Sequence, residues 1–153
     1  MHTTLIVANR TVGGDRLAEE VQRRLALGDC RFHLLVPVTS PVASAVAIGT
    51  AVGDAANLSP SAAYEVPDER RLARERLSFG LDWLTSLGAE ARGELSVECD
   101  TAAAVGRIVS AEGIDDVIVS TLPTTVSRWL RQDLPHRIER RVGLPVTVVT
   151  GPA

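Results

Sequence analysis

The stretch that decides the fold is residues 115–135, which read DDVIVSTLPTTVSRWLRQDLP. Its apolar run at residues 117–119 is typical of a strand buried on both faces of a parallel sheet. The pair Asp115-Asp116 before it is expected to form a surface turn without a catalytic role. A turn rich in hydroxyl side chains follows, and residues 126–141 have the pattern of a helix interrupted by a proline. In α/β proteins such a turn is a common phosphate site, but it is normally built from glycines, and this one has none.

Strands and helices alternate along the rest of the chain. Further apolar runs predict strands at residues 4–8, 32–38 and 145–149, and the alternating pattern of residues 94–99 predicts another. Amphipathic patterns predict a helix from Asp15, another from Asp68 to Leu87, and a third that Asp100 or Thr101 caps. This alternation implies right-handed crossovers and a sheet covered on both faces. The sequence therefore predicts one α/β domain over residues 1–153, with a Rossmann-like, five-stranded parallel sheet flanked by helices.

One long segment carries little periodicity. Residues 39–66 are rich in Ser, Ala, Gly and Pro, and they predict a loop that is either a lid or a mobile segment. Residues 34–53 form an uncharged stretch as long as a membrane span. Pro37 and Pro41 within it argue against a spanning helix. The start of the chain, MHTTLIVANR, lacks the charged region and cleavage site of a signal peptide. We expect a cytoplasmic protein that has no membrane partner.

The charged and reactive residues exclude several functions. Net charge is −3, and all 16 cationic residues are arginines, so phosphate-binding, Schiff-base and general-base lysines are all impossible. The acidic balance and the few aromatic residues argue against a nucleic-acid partner. The histidines and cysteines are scattered, which predicts no metal site: His2, His33, His136, Cys30 and Cys99. No nucleophile with a neighbouring base can be found, so we predict no enzymatic activity and no catalytic residues.

The last third of the chain resembles the universal stress proteins. Residues 116–119 resemble the family's strand, and residues 126–130 (VSRWL) resemble its "LSR" helix start. Residues 137–140 resemble the following amphipathic segment, and residues 143–149 the closing "CPVLVV"-like strand. Residues 98–101 lie where relatives have an "xGDP"-like turn. The order of elements matches along the whole chain, which implies an adenine nucleotide alpha hydrolase-like fold and a regulatory or ligand-sensing role.

The resemblance breaks at the nucleotide motif. ATP-binding members carry Gly-x-x-Gly, about nine residues and then Gly-Ser or Gly-Thr, whose backbone N–H groups point at the phosphates. In this chain Ser120 holds the first glycine position, and Pro123, which has no N–H, holds the second. With a one-residue deletion the Gly-Ser pair becomes Gln132-Asp133, where a carboxylate would repel a triphosphate unless it faces away or binds a metal. We predict no cofactor and no ATP binding in the family's usual manner.

An alternative is that the same turn holds phosphate in a different way. Its hydroxyl groups lie near a helix N-terminus, and Arg128 can clamp a phosphate with two hydrogen bonds. Asn9 stands where relatives place an aspartate on the adenine side, and its amide can bind a base edge or simply fit the turn. The candidate residues of this adenine-nucleotide or phosphate site are Asn9, Ser120, Thr121, Thr124, Thr125, Ser127 and Arg128. The plainer interpretation is that the hydroxyls cap the helix and that Arg128 pairs with a carboxylate.

The final strand bears on assembly. Residues 145–149 (PVTVV) would lie at a sheet edge without a charge, and such an edge invites pairing with another chain. Universal stress proteins commonly dimerise through their last strand, so the resemblance implies the same. We predict a two-fold homodimer through the C-terminal edge strand, together with an unknown small-molecule ligand. The nearby basic run is expected to be a solvated face or to flank the dimer interface: Arg128, Arg131, Arg137, Arg140 and Arg141.

Overall fold

The computed structural model describes residues 1–9, 11–38, 60–96, 98, 100–121 and 133–151, with only the backbone of residues 60–68. In these residues strands and helices alternate as the sequence predicts. The elements are β1 (His2–Val7), α1 (Asp15–Leu27), β2 (Cys30–Pro37), α2 (Pro60–Ser86), β3 (Glu90–Ser96), α3 (Thr101–Ala111), β4 (Asp116–Thr121), α4 (Leu134–Val142) and β5 (Val146–Thr150). Asp100 caps α3, because its side chain accepts a hydrogen bond from the backbone N–H of Ala102 at 3.2 Å.

All paired strands are parallel, and their order across the sheet is β3-β2-β1-β4-β5. The predicted five-stranded parallel sheet is confirmed. From β1 the chain first adds β2 and β3 on one side, and later β4 and β5 on the other. The order therefore reverses between β1 and β4, and in such sheets a ligand crevice opens beyond the carboxyl ends of those two strands.

The core consists of two apolar layers, one on each face of the sheet. Ile6 of β1 and Ala8 directly after it pack in the layer that contains α1 and α2, whereas Leu5 and Val7 pack in the layer with α3 and α4. All four residues have no exposed surface. Successive strand residues point to opposite faces, so a strand covered on both sides reads as a continuous apolar run.

Helix α2 is longer than the sequence predicts. It begins at Pro60 and not at Asp68, so residues 60–66 of the predicted loop 39–66 are helical. Pro60 suits a first turn, where the N–H has no partner in the helix. Pro67 lies inside the helix, where a proline removes one backbone hydrogen bond. Residues 39–59, and with them the prediction of a lid, lie outside the described residues.

Across the described ranges, no helix is both long and apolar enough to cross a bilayer.

Asp116, the first residue of β4, is buried, with 7% of its surface exposed. The prediction of a surface turn is therefore wrong for Asp116, although the Asp115 side chain is half-exposed. The carboxylate of Asp116 accepts a hydrogen bond from Thr4 Oγ1 at 2.7 Å, and His2 Nε2 lies 2.9 Å from it. Nη1 of Arg24 donates to its second oxygen. Local sequence gave no sign of this burial because every partner comes from another element.

Arg24 connects α1 to the amino ends of three strands. Besides Asp116 in β4, its guanidinium donates to Thr4 in β1 at 3.4 Å and to Thr147 in β5 at 3.1 Å. Its Nε also donates to Glu20, one turn earlier in α1, at 3.0 Å. The Arg24 side chain is only 11% exposed, so these contacts lie largely out of water. One buried ion pair thus ties a helix to the sheet.

Burial alone would raise the pKa of Asp116. The hydrogen bonds from Thr4, His2 and Arg24 and the positive charge of Arg24 outweigh burial, so the pKa lies below its ordinary value. Because the folded pKa is lower than the unfolded one, this stabilisation is present above the unfolded pKa. It is lost as pH falls through the folded pKa.

Asp116→Asn should lower the free energy of unfolding by about 3–5 kcal/mol, because it leaves Arg24 buried without this counter-charge. Urea denaturation at neutral pH measures the loss. The matched control, Asp82→Asn on the exposed side of α2, should change stability by less than about 0.5 kcal/mol. The difference in the free energy of unfolding between the natural chain and Asp116→Asn should become smaller as pH falls below about 4. A loss no larger than the control's, or a difference that stays constant in acid, would contradict the assignment.

Candidate functional site

The crevice at the switch point is bordered by the ends of β1 and β4 and by the loop between β1 and α1. The end of β1 is held to β2 by a hydrogen bond from the backbone N–H of Ala8 to the carbonyl of Leu35, at 3.2 Å. In the loop that follows, the N–H of Gly14 donates to the carbonyl of Thr11 at 3.1 Å. This N–H, at the start of α1, is therefore used within the loop and does not point at a ligand.

A pair of hydroxyl groups spans the crevice. Thr11 Oγ1 lies 2.7 Å from Ser120 Oγ, and either group can be the donor. We call this contact the hydroxyl bridge. Ser120 is only 1% exposed, so its hydroxyl is satisfied inside the protein. The hydroxyl bridge links the loop after β1 to the second-last residue of β4.

Thr121, the last residue of β4, is also buried, at 5% exposed. Its carbonyl accepts a hydrogen bond from the N–H of Gly151 at 2.8 Å, which extends the pairing of β4 with β5 by one residue. The structure therefore places Ser120 and Thr121, two residues of the predicted phosphate site, in the interior. The remaining turn residues of that site lie outside the described part of the chain: Thr124, Thr125, Ser127 and Arg128.

Asn9 lies two residues after the end of β1. Its Oδ1 accepts a hydrogen bond from Nη1 of Arg76 in α2, at 2.6 Å. This contact orients the amide and brings a guanidinium to the carboxyl end of β1. Among the described residues Arg76 has no carboxylate partner.

The sequence did not single out Arg76. It belongs to an arginine-rich segment of α2, and neither its spacing nor its neighbours distinguish it from Arg70, Arg71 and Arg74. The one available signal is that Arg76 precedes Leu77, which packs against the core. Its contact with Asn9 depends on how α2 crosses the end of β1, and local sequence does not contain that information.

Gly13 forms the wall of the crevice beside α2. Its φ angle is +86°, in the left-handed region that favours glycine. A Cβ at Gly13 would also lie 2.7 Å from Cε1 of Phe79, which is 56% exposed. Helix α2 therefore presents a cation, Arg76, and an aromatic ring, one turn apart, to the loop that follows β1.

No protein-family model and no curated protein matches the chain. Solved structures do match it along nearly its whole length. A universal stress protein from Arabidopsis thaliana with AMP bound is 13% identical, with a TM-score of 0.59 over 100% of this chain and 94% of that one. A universal stress protein from Archaeoglobus fulgidus is 10% identical, with a TM-score of 0.57 over 97% of this chain and 93% of that one. The chain has the fold of the universal stress proteins.

A second structure from Archaeoglobus fulgidus, a universal stress protein in complex with dAMP, is 14% identical, with a TM-score of 0.54 over 97% of both chains. The resemblance to universal stress proteins drawn from the last third of the sequence is therefore confirmed for the fold. At these identities the likeness concerns the path of the chain. Which ligand enters the crevice must be argued from the side chains of this universal stress protein-like domain.

The hydroxyl bridge should be measurable by a double-mutant cycle. Thr11→Val and Ser120→Ala should each lower the free energy of unfolding by about 1 kcal/mol, because each leaves one buried hydroxyl without its partner. The double variant should lose less than the sum, with a coupling energy of about 0.5–1.5 kcal/mol. Thr11→Val combined with Ser86→Ala, at an exposed position in α2, should be additive. Additive losses for Thr11 and Ser120 as well would show that the two hydroxyls do not interact.

Proposed function

We propose that this chain is a cytoplasmic regulatory or ligand-sensing protein, and not an enzyme, whose ligand site is the crevice between β1 and β4. We further propose that it does not bind ATP in the manner of ATP-binding universal stress proteins. The observation that carries the second statement is the hydroxyl bridge. Ser120, which the resemblance aligns with the first glycine of the ATP motif, is buried and bonded to Thr11 at 2.7 Å.

The chemistry of a phosphate cradle explains why this matters. Such a cradle needs backbone N–H groups that face the ligand, with no side chain between them and the phosphate. Here a side chain is present, and the N–H of Gly14 is already bonded to Thr11. Opening the hydroxyl bridge would cost about 1 kcal/mol before any phosphate contact formed. At the second glycine position, Pro123 has no N–H to offer in return.

A second candidate function is nucleotide or phosphate binding through a cradle that does not use glycine. The observation in its favour is Arg76, whose guanidinium lies at the crevice and contacts a neutral amide oxygen at 2.6 Å. A guanidinium without a carboxylate partner favours an anionic ligand, and phosphate accepts two hydrogen bonds from it. In this alternative Arg128 and the hydroxyls of Thr124, Thr125 and Ser127 would complete the cradle, and Asn9 and Phe79 would lie nearest the base.

A thermal-shift titration with ATP, AMP and cyclic AMP, with and without magnesium, separates the two functions. A ligand at 100 times its Kd stabilises a protein by about 2.7 kcal/mol, which such a titration detects. The first proposal expects no shift with ATP. A shift that Arg76→Gln or Arg128→Ala abolishes, and that the matched surface change Arg74→Gln leaves intact, would replace it with the second.

We also propose a homodimer that forms through β5. This strand is an edge of the sheet, and Val148 in it is 43% exposed. The opposite edge, β3, is protected by charge, since Glu90, Arg92 and Glu94 all form ion pairs. Pairing of an edge strand with a strand of a second chain is therefore favoured at β5 and opposed at β3. Two β5 strands related by a two-fold axis would form one continuous ten-stranded sheet, since each chain contributes five strands.

Val148→Lys should convert this dimer to a monomer, because a charge on an edge strand opposes pairing with a second strand. Sedimentation equilibrium at micromolar concentrations measures the mass. Leu27→Lys is the matched control, since Leu27 is a 77% exposed apolar residue at the far end of α1, and it should leave the mass unchanged. A natural chain that sediments as a monomer would refute the proposal directly.

A further inference from the structure

Three arginines share one face of α4. Arg137, Arg140 and Arg141 are spaced i, i+3 and i+4, which places them within about 100° around a helix. The buried residues of the helix, Leu134 and Ile138, lie one or two turns before Arg141 on the adjoining face. The three arginines therefore stand at the edge of the packed face of α4, beside the neighbouring helix α3.

A concavity of about 370 Å³ lies between the two helices, and the described residues that line it are Ala102 and the three arginines. Helix α3 contributes small residues here. A Cβ at Gly106 would lie 2.7 Å from Nε of Arg141, so the arginine side chain lies directly against the backbone of α3. The absence of a side chain at Gly106 leaves room for the Arg141 side chain beside α3. A larger residue at position 106 would displace that side chain.

The charges at the concavity do not cancel. Arg137 donates to Oδ1 of Asp100 at 2.5 Å, and the same carboxylate caps α3 by accepting from Ala102. Arg140 and Arg141 have no hydrogen bond or ion pair with any residue in the described part of the chain. Two positive charges are left over, and a third guanidinium is held in place by Asp100. The helix dipole of α4 favours cations in its last turn, where Arg140 and Arg141 lie. The dipole does not account for Arg137, which lies one turn earlier.

We propose that this α3–α4 concavity is an anion site that binds a small molecule with a phosphate or diphosphate group. The planar guanidinium group matches the oxygens of a phosphate with two parallel hydrogen bonds. A phosphate dianion would balance the two charges of Arg140 and Arg141, and Arg137, oriented by Asp100, would add a third donor. None of the described residues that line the concavity belongs to the crevice between β1 and β4.

The size and the surrounding charge favour a small ligand over a nucleic acid. A volume of about 370 Å³ accommodates a diphosphate group, and the chain as a whole carries a net charge of −3. A nucleic-acid surface would need an extended basic field and aromatic groups for stacking. No aromatic residue is among the described residues that line the concavity.

Titration calorimetry with inorganic pyrophosphate at low ionic strength tests the site. The natural chain should bind one pyrophosphate saturably, and Arg140→Gln with Arg141→Gln should weaken binding at least tenfold. The matched control is Arg70→Gln with Arg74→Gln, two exposed arginines on α2, which removes the same charge and should leave the affinity unchanged. Arg141→Lys keeps the charge but not the paired donors, so it should also weaken binding.

Some of the remaining outcomes distinguish between the two possible sources of the ligand. Others would overturn the proposal. ADP binding that falls together with pyrophosphate binding in the double variant would identify a nucleoside diphosphate as the source, whereas pyrophosphate binding alone would identify a free phosphate compound. No binding to the natural chain would overturn the proposal, and so would an equal loss in the control variant. Binding of a single-stranded oligonucleotide without pyrophosphate binding would also overturn it. The urea midpoint of each variant shows that the changes leave the fold intact.

Discussion

The arrangement of the sheet depends on the buried ion pair between Arg24 and Asp116. This contact joins α1 to β4, and the hydrogen bonds around it extend to β1 and β5. It also matches the strand register, in which Thr4 stands opposite Asp116. A slip of one residue would turn the carboxylate to the other face and separate it from Arg24, which would leave a buried charge without its partner, an outcome that costs about 3–5 kcal/mol. The amino edge of the sheet thus sets how β1 and β4 meet at the carboxyl edge.

At that carboxyl edge the fold alone does not determine the chemistry of the crevice. Two matched universal stress proteins were solved with AMP or dAMP, whereas in this chain a hydroxyl bridge joins the two sides of the crevice. Helix α2 contributes a positive charge near the end of β1, the guanidinium of Arg76. The fold therefore provides the location of a ligand site, and the side chains decide which ligand that site can accept.

Sequence reasoning succeeded where the pattern is local. Apolar or alternating runs located the five strands, although the third begins at Glu90 and not at residue 94. Asp100 was one of two cap candidates, because capping involves residues two positions apart. It failed where partners are distant. Asp116 resembled a surface turn because Arg24 is 92 positions away, and Arg76 resembled its neighbours because Asn9 is 67 positions away. The roles of Asn9 and Ser120 as site residues stay predictions, and their hydrogen bonds depend on the placement of elements that periodicity does not determine.

The last two residues of β4 are fastened to different parts of the molecule. Ser120 is bonded to the loop after β1, and Thr121 to the continuation of β5. A molecule that entered the crevice and separated Thr11 from Ser120 would therefore act on the strand that also anchors the edge of the sheet. A hydrogen bond of about 1 kcal/mol corresponds to roughly a fivefold change in an equilibrium constant. Opening of the hydroxyl bridge and the pairing of β4 with β5 can thus influence each other through a single strand, without movement of a domain.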